Sequence, residues 1–378
     1  GTVLPDVPTT YRSAHGLEAP QNYNRSYMGP ISIRQALACS QNIPAMRALD
    51  AFGGPARLLK LLENLGIRSI QEDAAHYGLG LAIGNAEVTL RELTGAYACL
   101  ARGGSFLPLK LEQGASVPER PVLPEEACFM AADILADREA RMAAFQDREL
   151  MNLPFRYACK TGTSSDFRDN WCVGFTREIT VGVWVGNVDA SPMKQVGGMD
   201  GAAPIFAGVM RLAHLNVAPS FPGPAPGMAR IRIDSRTGKR AEGLALPQAH
   251  VREEWTSRET MPPAASPADY DAAGRAYLDS RYTEWFTGPS CTAADAFCLL
   301  PGAWSGEAPR ILVPADGSRL ALDPELPGGG RRLTLRSNLP AGAVWSSPTL
   351  TVVQCGAEAF VLLEPGSHVI IVRHPELN

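Results

Sequence analysis

The hydrophobic period of this 378-residue chain changes twice. Up to about Asn216, apolar residues at helical spacing alternate with short strand-like runs. From Val217 to about Ser305 neither period holds, and Pro, Gly, Ala and Ser dominate stretches such as "VAPSFPGPAPG" and "TMPPAASPADY". From Gly306 onward short apolar runs follow one another: "RILVP", "RRLTLRS", "TLTVVQ", "AFVLLE" and "HVIIVR", parted by turns such as "ADGS" and "EPGS". The pattern predicts three zones. Residues 1–216 form a layered α/β (α+β) domain, an antiparallel sheet packed by helices. Residues 217–305 form a connection with a hairpin at "ARIRIDSRTGKRA". Residues 306–378 form a small all-β sandwich domain. There is no internal repeat.

Helix signals in the first zone place its polar motifs. Ser32 and Gln35 form a capping box that opens a helix at Ile33, whose apolar face stops near Cys39. Pro44 suits the first turn of the next helix, which ends at Gly53-Gly54. Ser40-Gln41-Asn42 therefore falls on the break between two helices, where side chains at i and i+2 can both face a cleft. Thr89 with Glu92 opens "TLRELTGAYACLARGG", and "LPEEACFMAADILAD" is a third helix. "FRYACKTGT", "NWCVGFT" and "ITVGVWVGN" read as three consecutive antiparallel strands, and "AAPIFAGVMRLAHL" closes the zone as a helix.

Charge and composition narrow the function. A net charge of −4, spread without basic blocks, argues against nucleic acid as a partner. No apolar run reaches the ~18 residues that would span a bilayer, and the opening residues do not read as a secretory leader. Eight cysteines and six histidines show no C-x-x-C and no paired histidines, so no metal or cofactor site is read. Cys291 and Cys298 alone lie in a loop-like segment, where a small disulfide is an option in an oxidising compartment.

With only five lysines in the chain (Lys60, Lys110, Lys160, Lys194, Lys239), the one at a strand end stands out. In Lys160-Thr161-Gly162-Thr163 the glycine leaves room for a ligand backbone to lie along the strand. Thr161 and Thr163 can bind a carboxylate, Lys160 adds positive charge, and the Thr163 N–H can serve as an oxyanion donor. A K-T-G triplet alone also occurs by chance in exposed strands. Ser40 and Asn42, as S-x-N upstream of K-T-G, supply two of the three signatures of serine acyltransferases of the penicillin-binding and β-lactamase type. Their place on a helix break is equally that of helix caps.

The wider text strengthens this. "DVPTTY", "NYNRSYMGPISIRQALACSQNIPAMRAL", "AEVTLRELTGAYACLARGG", "CKTGTSSDFRDNWCVGFTREITVGVWVGNVDASPM" and "GAAPIF" resemble the transpeptidase domain of class A penicillin-binding proteins, of the 1C type. The resemblance spans Thr2 to about Leu215 and returns over Gly306–Asn378, similar to that type's C-terminal β domain. It implies a peptidoglycan D,D-transpeptidase that works through a serine acyl-enzyme, with β-lactams as inhibitors. The donor would be a D-Ala-D-Ala stem peptide and the acceptor an amine of a second one; other cell-wall proteins are possible partners. The family also carries a glycosyltransferase domain and a membrane anchor on the periplasmic side of the inner membrane. Residue by residue, Ser40, Asn42 and Lys160 take catalytic roles, and Thr161, Gly162 and Thr163 bind substrate.

One signature departs from the family. S-x-x-K, which carries nucleophile and base, does not occur before Ser40. The sole instance, Ser191 to Lys194, follows K-T-G and belongs to text after the last strand, so it is rejected as the nucleophile. The expectation is a transpeptidase portion whose serine lies upstream of Gly1, inert alone toward penicillin. The alternatives are a D,D-carboxypeptidase or β-lactamase-type hydrolase and a non-catalytic stem-peptide or partner binding module. The glycines of "YGLGLAIGN" lack a preceding strand and are read as loop. Trp171 and Trp184 are read as sheet packing, and Arg168 and Asp169 as shaping the acceptor side or pairing with each other. His368 and His374 lie too far from the motifs to support a catalytic role.

Overall fold

The computed structural model describes residues 1–13, 16–110, 117–145, 152–193, 197–288, 291–300, 311–314, 317–318, 331–337, 339, 342–355 and 358–374. It divides into two compact units, Gly1–Leu4 with Ile31–Ala265, and Pro5–Pro30 with Ser266–Asn378.

In the first unit, helix α1 (Ile33–Ala38) starts after Ser32, whose side chain accepts the Gln35 N–H. Helix α2 (Asn42–Phe52) ends on Gly53 in the left-handed conformation, φ 110°. Helix α3 (Pro55–Asn64) was not anticipated from sequence, although Pro55 sits at its first turn. Its Leu58, Leu59, Leu61 and Leu62 pack into two neighbouring apolar clusters. Helix α4 (Leu90–Ala101) is capped by Thr89. The Glu92 carboxylate accepts from the Ser69 hydroxyl at 2.6 Å and from the Arg68 and Ser69 N–H groups at 3.3 Å. Helices α5 (Glu125–Leu135) and α6 (Arg138–Phe145) precede the sheet.

The sheet has the order β1 (Ala158–Thr163), β2 (Asp169–Phe175), β3 (Thr180–Gly186), all antiparallel. Strand alternation divides its side chains between two cores. Cys159, Cys172, Val181 and Val183 face Ala203, Phe206 and Met210 of helix α7 (Ala202–Ala213). Ala158 and Phe175 face Ala101 of α4 and Ala132 and Leu135 of α5. Fully buried aromatics such as Phe175 and Phe206 contribute about 1.5–3 kcal/mol each through burial. Helix α4 lies so close to β3 that a Cβ on Gly182 would sit 2.0 Å from the Thr94 hydroxyl. The sheet is thus sandwiched between helical layers, and β1 is an edge.

The connection is more ordered than its composition suggests. Strand β4 (Ala229–Asp234) pairs along its length with β5 (Val251–Thr256). On its other side it turns back on residues 239–241, with Asp234 N–H on the Lys239 carbonyl at 2.9 Å, Ala241 N–H on the Arg232 carbonyl at 2.8 Å and the bridge Ile233 to Arg240. Asp234 sits at the turn that follows β4. Its buried carboxylate holds the Arg236 side chain at 2.8–3.2 Å, which closes a tight turn at that point.

In the second unit, β6 (Ala276–Leu278) pairs in parallel with β7 (Phe297–Leu299) around Val7, Tyr282 and Trp285. Cys291 and Cys298 are free thiols. Further on, β8 (Ile311–Val313), β9 (Arg332–Ser337), β10 (Val344–Ser346), β11 (Val352–Cys355), β12 (Glu358–Leu362) and β13 (Ile371–Arg373) make two sheets. Their orders are β8-β9-β12-β11 and β10-β13. Leu335, Ala359 and Val361 of the first sheet share one core with Trp345 of the second. Among the described residues no helix is long and apolar enough to cross a membrane.

Candidate functional site

Ser40 occupies the break between α1 and α2 with φ 56°, a left-handed conformation unusual for a residue with a Cβ. It is not the N-cap of α2. Gln41 holds that position, extended and buried, and Asn42 is the first residue of α2. Ser40 instead closes the C-terminus of α1 through its backbone. Its N–H donates to the Leu37 carbonyl at 3.2 Å and the Gln41 N–H to the Ala36 carbonyl at 2.9 Å, so the left-handed residue ends one helix and turns the chain into the next. Such strain persists where surrounding structure fixes it, and it concentrates at functional sites.

The Ser40 hydroxyl accepts a hydrogen bond from Lys160 Nζ at 2.7 Å. The same ammonium donates to the Thr161 carbonyl at 2.7 Å. Burial pulls the Lys160 pKa down to about 8, against the raising effect of Cys159 and Cys172 and with the help of Arg141. The thiols lie just behind the lysine. Cys159, a free thiol, accepts hydrogen bonds from the Cys172 thiol and from Arg141 Nη1 at 2.8 Å, which draw its pKa down to about 7, while Cys172 is pushed up.

Strand β1 gives the site its edge. Ser164 N–H donates to the Asp169 carbonyl at 3.0 Å while the Asp169 N–H goes to the Ser164 hydroxyl at 2.8 Å. Continued from that one ladder bond, the alternation assigns 162 with 171 and 160 with 173 to bonded pairs. Thr161 and Thr163 consequently turn their backbone N–H and C=O groups outward, to the side of β1 that has no neighbouring strand among the described residues, the Thr161 carbonyl there accepting from Lys160 Nζ. An extended ligand can add there as a further strand. Gly162 is not required by internal crowding: a Cβ there would meet only Trp171 Cβ, at an ordinary 3.6 Å. It would project on the Lys160 face, so its absence keeps that face open.

Thr163 Oγ1 accepts the backbone N–H of Gly198 at 2.9 Å. With an acceptor lone pair so engaged, its own proton is left to donate to an incoming anion. Gly198 is buried, and a Cβ on it would lie 2.6 Å from the Gly162 carbonyl oxygen. Sequence reading missed this residue. The signal was the Gly197-Gly198 pair, set outside any obvious turn and shortly before α7.

The turn after the motif corrects one pairing. Asp169 binds the Ser164 hydroxyl and the Trp184 indole N–H, both at 2.8 Å, while Arg168 reaches Asp166 at 3.5 Å. Trp171 and Trp184 are partners across the ladder. "YGLGLAIGN" forms a 3-10 turn over Gly78–Ile83. Ser191 lies in a loop with its hydroxyl on Asp189 at 2.7 Å; Lys194 falls outside the described residues. Neither His368 nor His374 belongs to the unit that contains Ser40 and Lys160.

Residues 2–211 match the family model described as the penicillin-binding protein transpeptidase domain. The chain belongs to this family. Penicillin-binding protein 1C of Escherichia coli (strain K12) is 32% identical over 205 residues, 54% of this chain and 26% of that protein. Penicillin-binding protein 1A of Aquifex aeolicus is 32% identical over 209 residues, 51% of this chain and 27% of that one. The chain therefore spans about a quarter of the length of these curated relatives. Among solved structures, penicillin-binding protein 1A from Haemophilus influenzae aligns with TM-score 0.58 at 20% identity, covering 70% of this chain and 45% of that one. PonA1 from Mycobacterium tuberculosis aligns with TM-score 0.52 at 20% identity, covering 66% and 70%. These likenesses establish the penicillin-binding transpeptidase fold, of mixed helices and antiparallel sheet.

Proposed function

We propose that this chain is the transpeptidase portion of a class A cell-wall synthase of the 1C type, acting outside the cytoplasm on peptidoglycan stem peptides. The observation that carries the reading is the Lys160 to Ser40 contact at 2.7 Å, set against an open strand edge. A D-Ala-D-Ala stem peptide adds antiparallel to β1, and its terminal carboxylate meets the hydroxyls of Thr161 and Thr163 beside the Lys160 charge. Asn42 donates to the carbonyl of the acylated peptide, and the Thr163 N–H stabilises the oxyanion. A serine hydroxyl attacks the penultimate carbonyl, and terminal D-alanine departs with a proton relayed through Ser40, whose hydroxyl Lys160 orients. An amine of a second stem peptide then attacks the ester, and the serine is released.

The reading assigns the attacking serine to no residue among these 378. Ser40 is a relay, and Ser191 is tied to Asp189 in a loop. Titration calorimetry with a peptide ending in D-Ala-D-Ala, and with the same peptide as its C-terminal amide, tests the cleft. The free acid is expected to bind at least ~10-fold tighter, and Lys160→Ala to remove that preference. Equal binding of acid and amide by the wild-type chain would sink the reading. Labelled penicillin is expected not to acylate the chain; stoichiometric labelling would place a nucleophile inside it.

A further inference from the structure

The two arms of the cleft arrive from distant segments, Ser40 at the end of α1 and Lys160 on β1, and a single buried carboxylate touches the roots of both. Arg34 on α1 sends Nη2 to Asp133 Oδ2 at 2.7 Å. Arg156, two residues before β1, sends Nη2 to the other oxygen, Asp133 Oδ1, at 2.6 Å. The Arg156 guanidinium also lies over the Phe221 ring at 4.2 Å, which limits its swing. The remaining donors of Arg34 go to both oxygens of Glu254 at 2.8 Å and to Asp137 at 3.0 Å. Glu254 belongs to β5, beyond the residues matched by the transpeptidase family.

A carboxylate suits this place for a definite reason. Its two oxygens face opposite ways and are both acceptors, so one can hold each guanidinium. An amide presents one acceptor and one donor and must turn its N–H₂ toward an arginine. We propose that Asp133 is a positioning residue that holds the Ser40-bearing and Lys160-bearing elements at their contact distance, with Glu254 of β5 anchoring the Arg34 arm. The β4–β5 pair is then a brace of the cleft, and movement of β5 is transmitted to Ser40 through Arg34.

The inference rests on the reading that Ser40 and Lys160 work as a pair, yet its test needs no substrate and no turnover. Lysine labelled with ¹³C at Cε gives five signals in this chain, one of them the displaced Lys160. In the wild type Lys160 titrates near 8 because protein, chiefly, excludes water from it. If the clamp opens, water reaches the ammonium, and the Asp133→Asn midpoint rises by ~1 pH unit or more, a tenfold change in proton affinity. Asp234→Asn removes a buried partner of Arg236 in the same brace and is expected to lower stability while leaving the Lys160 midpoint in place. Arg34→Lys, which keeps the charge and loses the fork, decides the matter if Asp133→Asn does not fold. A folded Asp133→Asn protein with an unmoved Lys160 midpoint would overturn the proposal. So would an equal shift in Asp234→Asn, since that marks general loosening. Failure of peptide binding in the wild type, with the shift present, would count against the function and not against the clamp.

Discussion

Lys160 Nζ donates to Ser40 Oγ at 2.7 Å, joining residues 120 apart in sequence. Each partner is in an unfavourable state. Ser40 is held at φ 56°, and Lys160 keeps its charge where burial opposes it. Packing alone would favour a glycine at the first position and an apolar chain at the second. That both features meet in one hydrogen bond supports the proposed catalytic role of the pair.

The strain at Ser40 is measurable. A left-handed residue with a Cβ is disfavoured by about 1–2 kcal/mol. Ser40→Gly relieves it, while the loss of the Lys160 bond and the greater freedom of glycine in the unfolded chain work the other way. A net change between zero and about 1 kcal/mol of stabilisation is expected in urea unfolding. Ser40→Ala keeps the strain and loses the bond, so it should destabilise by about 1 kcal/mol. If the two variants unfold at the same urea concentration, no strain is stored there.

Lys160 makes a prediction about pH. Unfolded, the side chain holds its proton to about 10.5; folded, only to about 8. Between those values the unfolded chain binds more protons, so this group makes stability rise with pH across that window. Below pH 8 both states are protonated and the full penalty is present. At 1.36 kcal/mol per pH unit it amounts to at most about 3 kcal/mol, reduced by the two hydrogen bonds Lys160 makes. Lys160→Met should therefore stabilise the protein by roughly 1–2 kcal/mol at pH 7, with a gain that fades toward pH 10.5. Urea titrations at pH 7 and 10 check this, and a gain that grows with pH would contradict it.

Gly182 offers a test of the layering itself. Helix α4 rests on β3 at this residue, and an added Cβ would meet Thr94 Oγ1 at 2.0 Å. Gly182→Val forces the helix from the sheet and should lower stability by about 2–3 kcal/mol. Gly182→Ala in a Thr94→Ser background should recover little, since the Cβ clashes with the hydroxyl and not with the methyl. In a Thr94→Ala background it should recover more than half. Thermal unfolding of the pair of double variants separates them.

The parts of the fold legible in the sequence are those whose signals are local. Ser32, Thr89, Pro44 and the glycines after Phe52 announce helix ends through single side chains, and "ACKTGT", "NWCVGF" and "TVGVWVG" announce strands through alternation. Lys160 and Ser40 were legible as members of motifs, though nothing local told that Ser40 is left-handed. Other features were not readable because their partners are remote. The β4 strand reads as half of a short hairpin, and nothing local announces that its other edge takes β5 as a second partner. Asp133 looks like any acid on a helix until two arginines from segments 99 and 23 residues away meet on it. Gly198 was signalled only by the Gly197-Gly198 pair, and its role shows only in its contact with Thr163.

That last contact carries the most specific functional prediction. The Gly198 N–H fixes Thr163 Oγ1 as an acceptor at 2.9 Å, which leaves the hydroxyl proton to point at a bound carboxylate. A Cβ at position 198 would lie 2.6 Å from the Gly162 carbonyl, which belongs to the strand backbone and has little room to move. The loop must lift in Gly198→Ala, and the threonine hydroxyl is freed to rotate. Affinity for a peptide carboxylate should fall ~5–10-fold, as expected for one charge-assisted hydrogen bond, while affinity for the amide form changes little. Thr163→Val should give a loss of similar size. The two changes act on one hydrogen bond, so together they should cost about what either costs alone. Calorimetry on the four proteins measures that coupling directly, and losses that multiply would mean that Gly198 supports the strand without directing the hydroxyl.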